Sequence, residues 1–194
     1  MNLIILARHG QTEWNKINRL QGWENSPLTE LGKQQAKSVA KVIAKLINDS
    51  EFLFFSSSLG RAHDPAKIIS SSLAGNYEII VDPLLKECSY GEWSGLTSSE
   101  VKTQRPDEWN NRINDKWNYV IPGGESYSLL SKRAKRWLNT LPEDHTILAV
   151  SHEMIGRTIR GAYLGLNTQE TMALKQKNNE IIILKEGIET KLLA

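Results

Sequence analysis

The chain has 194 residues, 40% hydrophobic and 24% charged, with a formal net charge of +2. That length suffices for one substantial domain, and so small a net charge gives no global field for nucleic acid or a membrane surface. The single Cys88 excludes an internal disulfide and fits a reducing compartment. No apolar stretch approaches membrane-spanning length, and the opening "MNLIILARHG" lacks the basic residues that precede the apolar run of a signal peptide. The expectation is a cytoplasmic globular protein.

Apolar periodicity predicts alternating strands and helices along the chain. "LIILA" (3–7) reads as a buried strand. Residues 28–47 read as a helix capped by Thr29, with Leu31, Val39, Val42, Ile43 and Leu46 on one side. A strand at 52–57, a helix around 61–74 and a strand at 77–81 follow. The segment 87–125 then breaks the rhythm: it carries Tyr90, Trp93, Trp109, Trp117 and Tyr119 and ends in Pro122-Gly123-Gly124. It reads either as a lid or pocket wall, or as a surface excursion held down by its own aromatics. A helix at 126–141, a strand at 146–150, a helix at 154–165 and a last strand at 180–185 complete the pattern. The alternation implies a three-layer α/β/α sandwich around a mostly parallel sheet, in one domain spanning 1–194 with 87–125 as a cap insert.

Three predicted strands end alike. "LIILA" runs into Arg8-His9-Gly10, "FLFFSS" into "SLGRA" with Arg61, and "TILAV" into Ser151-His152. In open parallel sheets, ligands bind in the crevice beyond the carboxyl ends of the strands. Arginine offers a planar fork of donors matched to phosphate or carboxylate, and a helix starting after each strand adds backbone N–H groups. One such residue alone is ordinary. Two arginines and two histidines at equivalent strand ends point to an anion site with imidazole beside it.

"RHGQTEWN" (8–15) matches the R-H-G-x-[ST]-x-x-N signature of the histidine phosphatase superfamily, the phosphoglycerate mutase-like family. The resemblance continues in order through "NRLQGWENSPLTELGKQQA" (18–36), "SSSLGRA" (56–62), "LLKECSYGEWSGLT" (84–97), "PGGESY" (122–127) and "VSHEMIGR" (150–157). It implies an α/β fold with a largely parallel sheet and phosphoryl transfer through a covalent phosphohistidine. By this resemblance His9 is the nucleophile, Arg8 and Arg61 clamp phosphate, and His152 is the second pocket histidine. Asn15 is a further phosphate ligand, Glu87 the proton donor, and Gln21 and Gly22 stand where the mutases touch substrate. Nearby cations should keep His9 neutral and nucleophilic, and a desolvated Glu87 carboxyl can hold the proton that the leaving group needs. No metal is required, and the four histidines lack the i, i+4 pairing of a zinc helix.

The sequence departs from the family pattern in places. Glu153 replaces the usual glycine after the second histidine; it is expected to offer its backbone N–H to the phosphate and turn its carboxylate away. Pro65 stands where threonine is common and is expected in a first helical turn. Cys88 reads as a buried thiol, Arg157 as half of a structural ion pair, and Glu125 as structural beside a helix start. The leading reading is a phosphatase of small phosphomonoesters. A phosphoglycerate mutase, using 2,3-bisphosphoglycerate as its cofactor, is the alternative, and a non-catalytic phosphate-binding module is a third reading. The mutases' paired arginines are missing, since Arg105 and Arg112 are widely spaced. An aromatic patch within 109–119 is a candidate homodimer contact.

Overall fold

The computed structural model describes residues 2–47, 51–73 and 77–194. Six strands form one sheet: β1 (Leu3–Arg8), β2 (Phe52–Ser57), β3 (Ile79–Asp82), β4 (Thr146–Ser151), β5 (Glu180–Lys185) and β6 (Ile188–Leu193), in the spatial order β3-β2-β4-β1-β5-β6. β3, β2, β4 and β1 run parallel, while β5 and β6 are antiparallel to their neighbours. β4, late in the chain, therefore lies between β1 and β2, and the register pairs Arg8 with Ser151. This crossover sets the carboxyl ends of three strands side by side.

Alternation along the central strands builds the two faces. Ile4 and Leu6 of β1 join Ile147 and Ala149 of β4 under helices α6 (Tyr127–Thr140) and α7 (Glu153–Leu164). Ile5 and Ala7 join Leu148, Val150 and Phe54 under α2 (Glu30–Ile47) and α3 (Gly60–Ser72). In α2 the Thr29 hydroxyl accepts the Gly32 N–H at 3.0 Å, as a cap should. Its buried stripe holds Ala36, Val39, Ala40 and Ile43, but Leu31 is 49% exposed, because the start of α2 presses glycine rather than leucine against the sheet end. A Cβ on Gly32 would meet the Gln11 carbonyl at 2.0 Å, and one on Gly10 would meet Gly32 at 2.1 Å, so this crossing admits only glycine.

Further differences from the sequence expectation are local. Pro65 sits in the second turn of α3, past the positions that lack helical partners, so its missing N–H leaves the Arg61 carbonyl without its usual donor. The expected end of this helix at 74 lies outside the described residues. β6 and the short helices α1 (Glu13–Lys16), α4 (Ser98–Gln104), α5 (Pro106–Asn114) and α8 (Thr168–Ala173) lack an apolar stripe long enough to announce them. Three of these helices, α1, α4 and α8, start in caps instead: Thr12 with Asn15, Thr97 with Glu100 and Asn167 with Glu170 each close a reciprocal box, whereas α5 opens on Pro106 with no side-chain cap.

The segment 87–125 carries its own small core of Trp93, Val101 and Ile121, with Leu20, Trp109 and Tyr119 packed on it. Trp117 stacks on Tyr127 with ring centres 6.0 Å apart. The aromatics of 109–119 thus face inward, and the large apolar side chain they leave exposed is Ile113, at 59%. The expected aromatic contact patch is not there. No helix among the described residues is long and apolar enough to cross a membrane.

Candidate active site

His9 follows β1 and is buried. Its Nδ1 lies 2.7 Å from the Gly10 carbonyl. A carbonyl can only accept, so Nδ1 carries the ring hydrogen and Nε2 keeps its lone pair. Burial holds the imidazole well below its ordinary pKa, and the Arg61 and Arg8 guanidinium groups push the same way, against the Gly10 bond. His9 is therefore a neutral, oriented base. The Asn178 side chain donates to the His9 carbonyl at 2.6 Å and fixes the backbone behind it.

His152, the residue capping α7 after β4, stands against His9 with ring centres 5.1 Å apart. Its Nε2 is 2.8 Å from the Ser57 hydroxyl, and its buried Nδ1 has no partner among the described residues. Burial, then Arg61, lowers its pKa as well. His152 lies beside His9 and is not part of the cavity lining itself.

Arg61 reaches the site from the first turn of α3. Its two terminal nitrogens donate to the carbonyls of Glu24 at 2.6 Å and Gly22 at 2.7 Å. Gly22 presents that carbonyl from a left-handed backbone with φ of 53°, where a Cβ would sit 2.7 Å from the Tyr90 nitrogen. Burial lowers Arg61 to about 10, Glu87 opposing, which leaves it charged at neutral pH. Arg8, at the end of β1, donates to the Gln176 carbonyl at 2.7 Å. The Nε atoms of Arg8 and Arg61 are both buried without a partner among the described residues. Buried donors are almost always satisfied, and two idle guanidinium nitrogens at one place mark an anion site.

Glu87 stands at the start of α7. Its Oε1 accepts the N–H groups of Cys88 at 2.9 Å, Met154 at 3.1 Å and Ile155 at 3.1 Å, whereas its Oε2 has only the Met154 N–H at 3.2 Å. Glu87 is buried, as a desolvated carboxyl should be, and backbone N–H groups surround one of its oxygens. Backbone donors at a helix start hold this carboxyl in place, and Oε2 is the freer oxygen. Asn15, Gln21 and Gly22 line the same cavity, of about 290 Å³, with Arg8, His9, Arg61 and Glu87. Asn15 is oriented by its box with Thr12, whose N–H it accepts at 3.2 Å.

Glu153 corrects one expectation. Its carboxylate does not turn away: it lines the cavity and pairs with Arg8 at 3.1 Å and with Arg157 at 2.8 Å. Two guanidinium groups flanking the first turn of α7 draw it inward. Other readings stand. Cys88 is fully buried, and burial with Glu87 pushes its thiol up. Glu125 is fastened by Arg133 at 2.8 Å and accepts the Ser89 N–H. Sequence reading missed Asn18, Arg19, Ser98 and Met154 on the cavity wall and Gln176 and Asn178 behind it. The last two sit in the polar run "KQKNN" ahead of β5, and the only signal available was that a run of amides adjoins a strand in the sheet.

Residues 4–191 match the Histidine phosphatase superfamily (branch 1), and the chain belongs to that family. It is 32% identical over 167 residues to the Phosphoserine phosphatase 1 of Hydrogenobacter thermophilus, covering 84% of this chain and 77% of that one. It is equally 32% identical, over 174 residues, to the 2,3-bisphosphoglycerate-dependent phosphoglycerate mutase of Parvibaculum lavamentivorans, covering 86% and 80%. The mycobacterial glucosyl-3-phosphoglycerate phosphatase solved with VO3 superposes with a TM-score of 0.81 at 27% identity, over 95% of this chain and 91% of that one.

Proposed function

We propose that this protein is a phosphatase that hydrolyses small phosphomonoesters through a phosphohistidine at His9. The observation that carries the reading is the neutral His9 ring with Nε2 left as the lone-pair nitrogen, set beside two guanidinium groups whose Nε atoms lack partners among the described residues. The substrate phosphate lies between Arg8 and Arg61. Nε2 of His9 attacks phosphorus while the ester oxygen departs and takes a proton from Glu87 at Oε2. Phosphoryl transfer asks mainly for positioning and charge stabilisation, which the arginines and Asn15 supply. With the Ser57 hydroxyl donating to Nε2 of His152, the Nδ1 of His152 carries a hydrogen and serves as a further donor. Water then attacks the phosphohistidine, Glu87 takes its proton, and inorganic phosphate leaves.

The named relatives include both phosphatases and a mutase, and both act on small phosphorylated molecules. Hydrolysis of p-nitrophenyl phosphate by the wild type and His9→Ala tests the phosphatase reading. Loss of at least about 10³-fold in kcat is expected when a covalent nucleophile is removed; equal, negligible rates would favour a binding module. Interconversion of 2- and 3-phosphoglycerate stimulated by 2,3-bisphosphoglycerate, faster than hydrolysis, would make it a mutase.

A further inference from the structure

β6 forms one edge of the sheet, and among the described residues no strand pairs with its outer side. It is as long as its neighbour β5, contains no proline, and leaves Ile188 and Leu193 largely exposed. Such an edge is a template for a further strand unless its side chains oppose one. The hairpin decides which backbone groups point outward. Glu186 and Gly187, with φ of 51° and 75°, make the two-residue turn between β5 and β6. That turn closes on a hydrogen-bonded pair, Lys185 with Ile188, and at the far end the Ala194 N–H donates to the Asn179 carbonyl at 2.9 Å. Bonded and non-bonded pairs alternate along an antiparallel ladder, so Ile188, Thr190 and Leu192 turn their backbone groups toward β5. Those of Glu189 and Lys191 point away from the sheet.

Side chains alternate as well. Glu189 reaches Arg160 on the α7 face of the sheet, with the Lys191 ammonium 3.8 Å from its carboxylate. Leu192 packs on the opposite face with Ile181, and Thr190 lies exposed on that same face. The outward edge thus carries one acid and one base at alternate positions, with a small β-branched residue between them. We propose that β6 pairs antiparallel with β6 of a second copy of this chain, across a twofold axis at Thr190, so that the two sheets become one.

The charge pattern selects both the partner and the register. A twofold dimer needs a patch that fits its own copy. Outward residues must face outward residues, which allows an axis at Glu189, Thr190, Lys191 or Leu192. An axis at Glu189 or at Lys191 sets that residue against itself, and like charges directly opposite destabilise a ladder. An axis at Leu192 sets Lys191 against Leu193 and leaves the charges unanswered. At Thr190, Glu189 of each copy stands opposite Lys191 of the other, exchanging N–H···O bonds in both directions. Ile188 then lies across from Leu192, which covers an apolar side chain exposed in the single copy, and the two threonines meet on the axis as a favourable cross-strand pair. The same charges refuse a strand of arbitrary sequence. β6 is at the end of the sheet, and the cavity around His9 is lined by no residue of it, so pairing leaves that cavity open.

Analytical ultracentrifugation of the wild type, from low micromolar to millimolar concentration, should show a monomer–dimer equilibrium. Lys191→Glu turns the attractive cross-strand pairs into repulsive ones and should weaken the dimer at least about tenfold. Lys191→Pro removes an outward N–H, spares the bonds to β5, and should weaken it comparably. Far-UV circular dichroism and urea midpoints report whether each variant folds, and two cysteine variants test the register independently of both. Thr190→Cys sets a thiol opposite its own copy at a non-hydrogen-bonded pair, about 4.5 Å between Cα atoms, so mild oxidation should give a disulfide-linked dimer. Ile188→Cys, off the axis, should not cross-link, and the native Cys88 is fully buried. A wild type that stays monomeric at every concentration, a dimer unaffected by both Lys191 variants, or equal cross-linking of the two cysteine variants would overturn the proposal.

Discussion

Two arginines are buried to nearly the same degree, Arg160 at 1% exposure and Arg112 at 5%, and the fold treats them oppositely. Arg160, on α7, meets both oxygens of Glu189 on β6 at 2.6 and 2.7 Å and the Lys175 carbonyl at 3.1 Å. Arg112 meets no carboxylate among the described residues. The contrast extends to the regions around them. Where α7 crosses β6, the buried guanidinium is paired and hydrogen-bonded. Around the phosphate cavity and a second cavity adjoining it at Tyr90, Glu153 and Met154, Arg8, Arg61, Arg112, Arg157 and His152 each keep a buried nitrogen without a partner among the described residues. The first region spends its buried guanidinium wholly on the fold; around the phosphate cavity, Arg8 and Arg61 are held by protein carbonyls yet each keeps one nitrogen unspent.

The comparison sharpens most at Glu189. Glu189→Ala strands Arg160 without its counter-charge and should cost about 3–5 kcal/mol of unfolding free energy, read by urea denaturation. Arg160 would be serving something other than the fold if the midpoint barely moved. Arg61→Ala acts on the other region: removing one preorganised charged donor should lower kcat/KM about 10²–10³-fold, or about 3–4 kcal/mol. The same variant removes a cation that depresses His9, so the acid limb of its pH–rate profile should move to higher pH.

The pH dependence of the wild type follows from both histidines. Their folded-state pKa values lie well below the ordinary 6.5, so the folded protein binds fewer protons than the unfolded chain below that pH. Stability should be full above about 6.5 and fall as pH drops toward the folded values, and activity should be lost on the same acid side. Urea midpoints from pH 7 to 5 check this; a midpoint that rises on acidification would refute it. The smallest effect belongs to Glu153. Glu153→Gln frees Arg8 from a competing, partly exposed carboxylate and should lower KM for a simple phosphomonoester about threefold, in the range of one such ion pair.

The phosphate side of the site was largely legible in the sequence. Arg8, His9, Arg61 and His152 stand next to strand ends, where short-range pattern fixes position, and the sheet order brings those ends together. What was not legible depends on distant pairing. The inward turn of Glu153 needs Arg8, 145 residues earlier in the chain, and Arg157 on one side of it. The burial of Arg112 needs the small core around Trp93 to fold the cap against α7, and no spacing within 87–125 announces that. β6 and the short helices escaped for a different reason. Their amphipathic signal is brief, and the starts of α1, α4 and α8 lie in capping side chains rather than in apolar period.

The most direct test of the account is to quench the wild-type protein during turnover of a radiolabelled phosphomonoester and map the labelled peptide. An acid-labile, base-stable phosphoryl group is expected on the peptide containing His9, absent from His9→Ala. Label on a different residue, or undiminished hydrolysis by His9→Ala with no labelled protein, would contradict it.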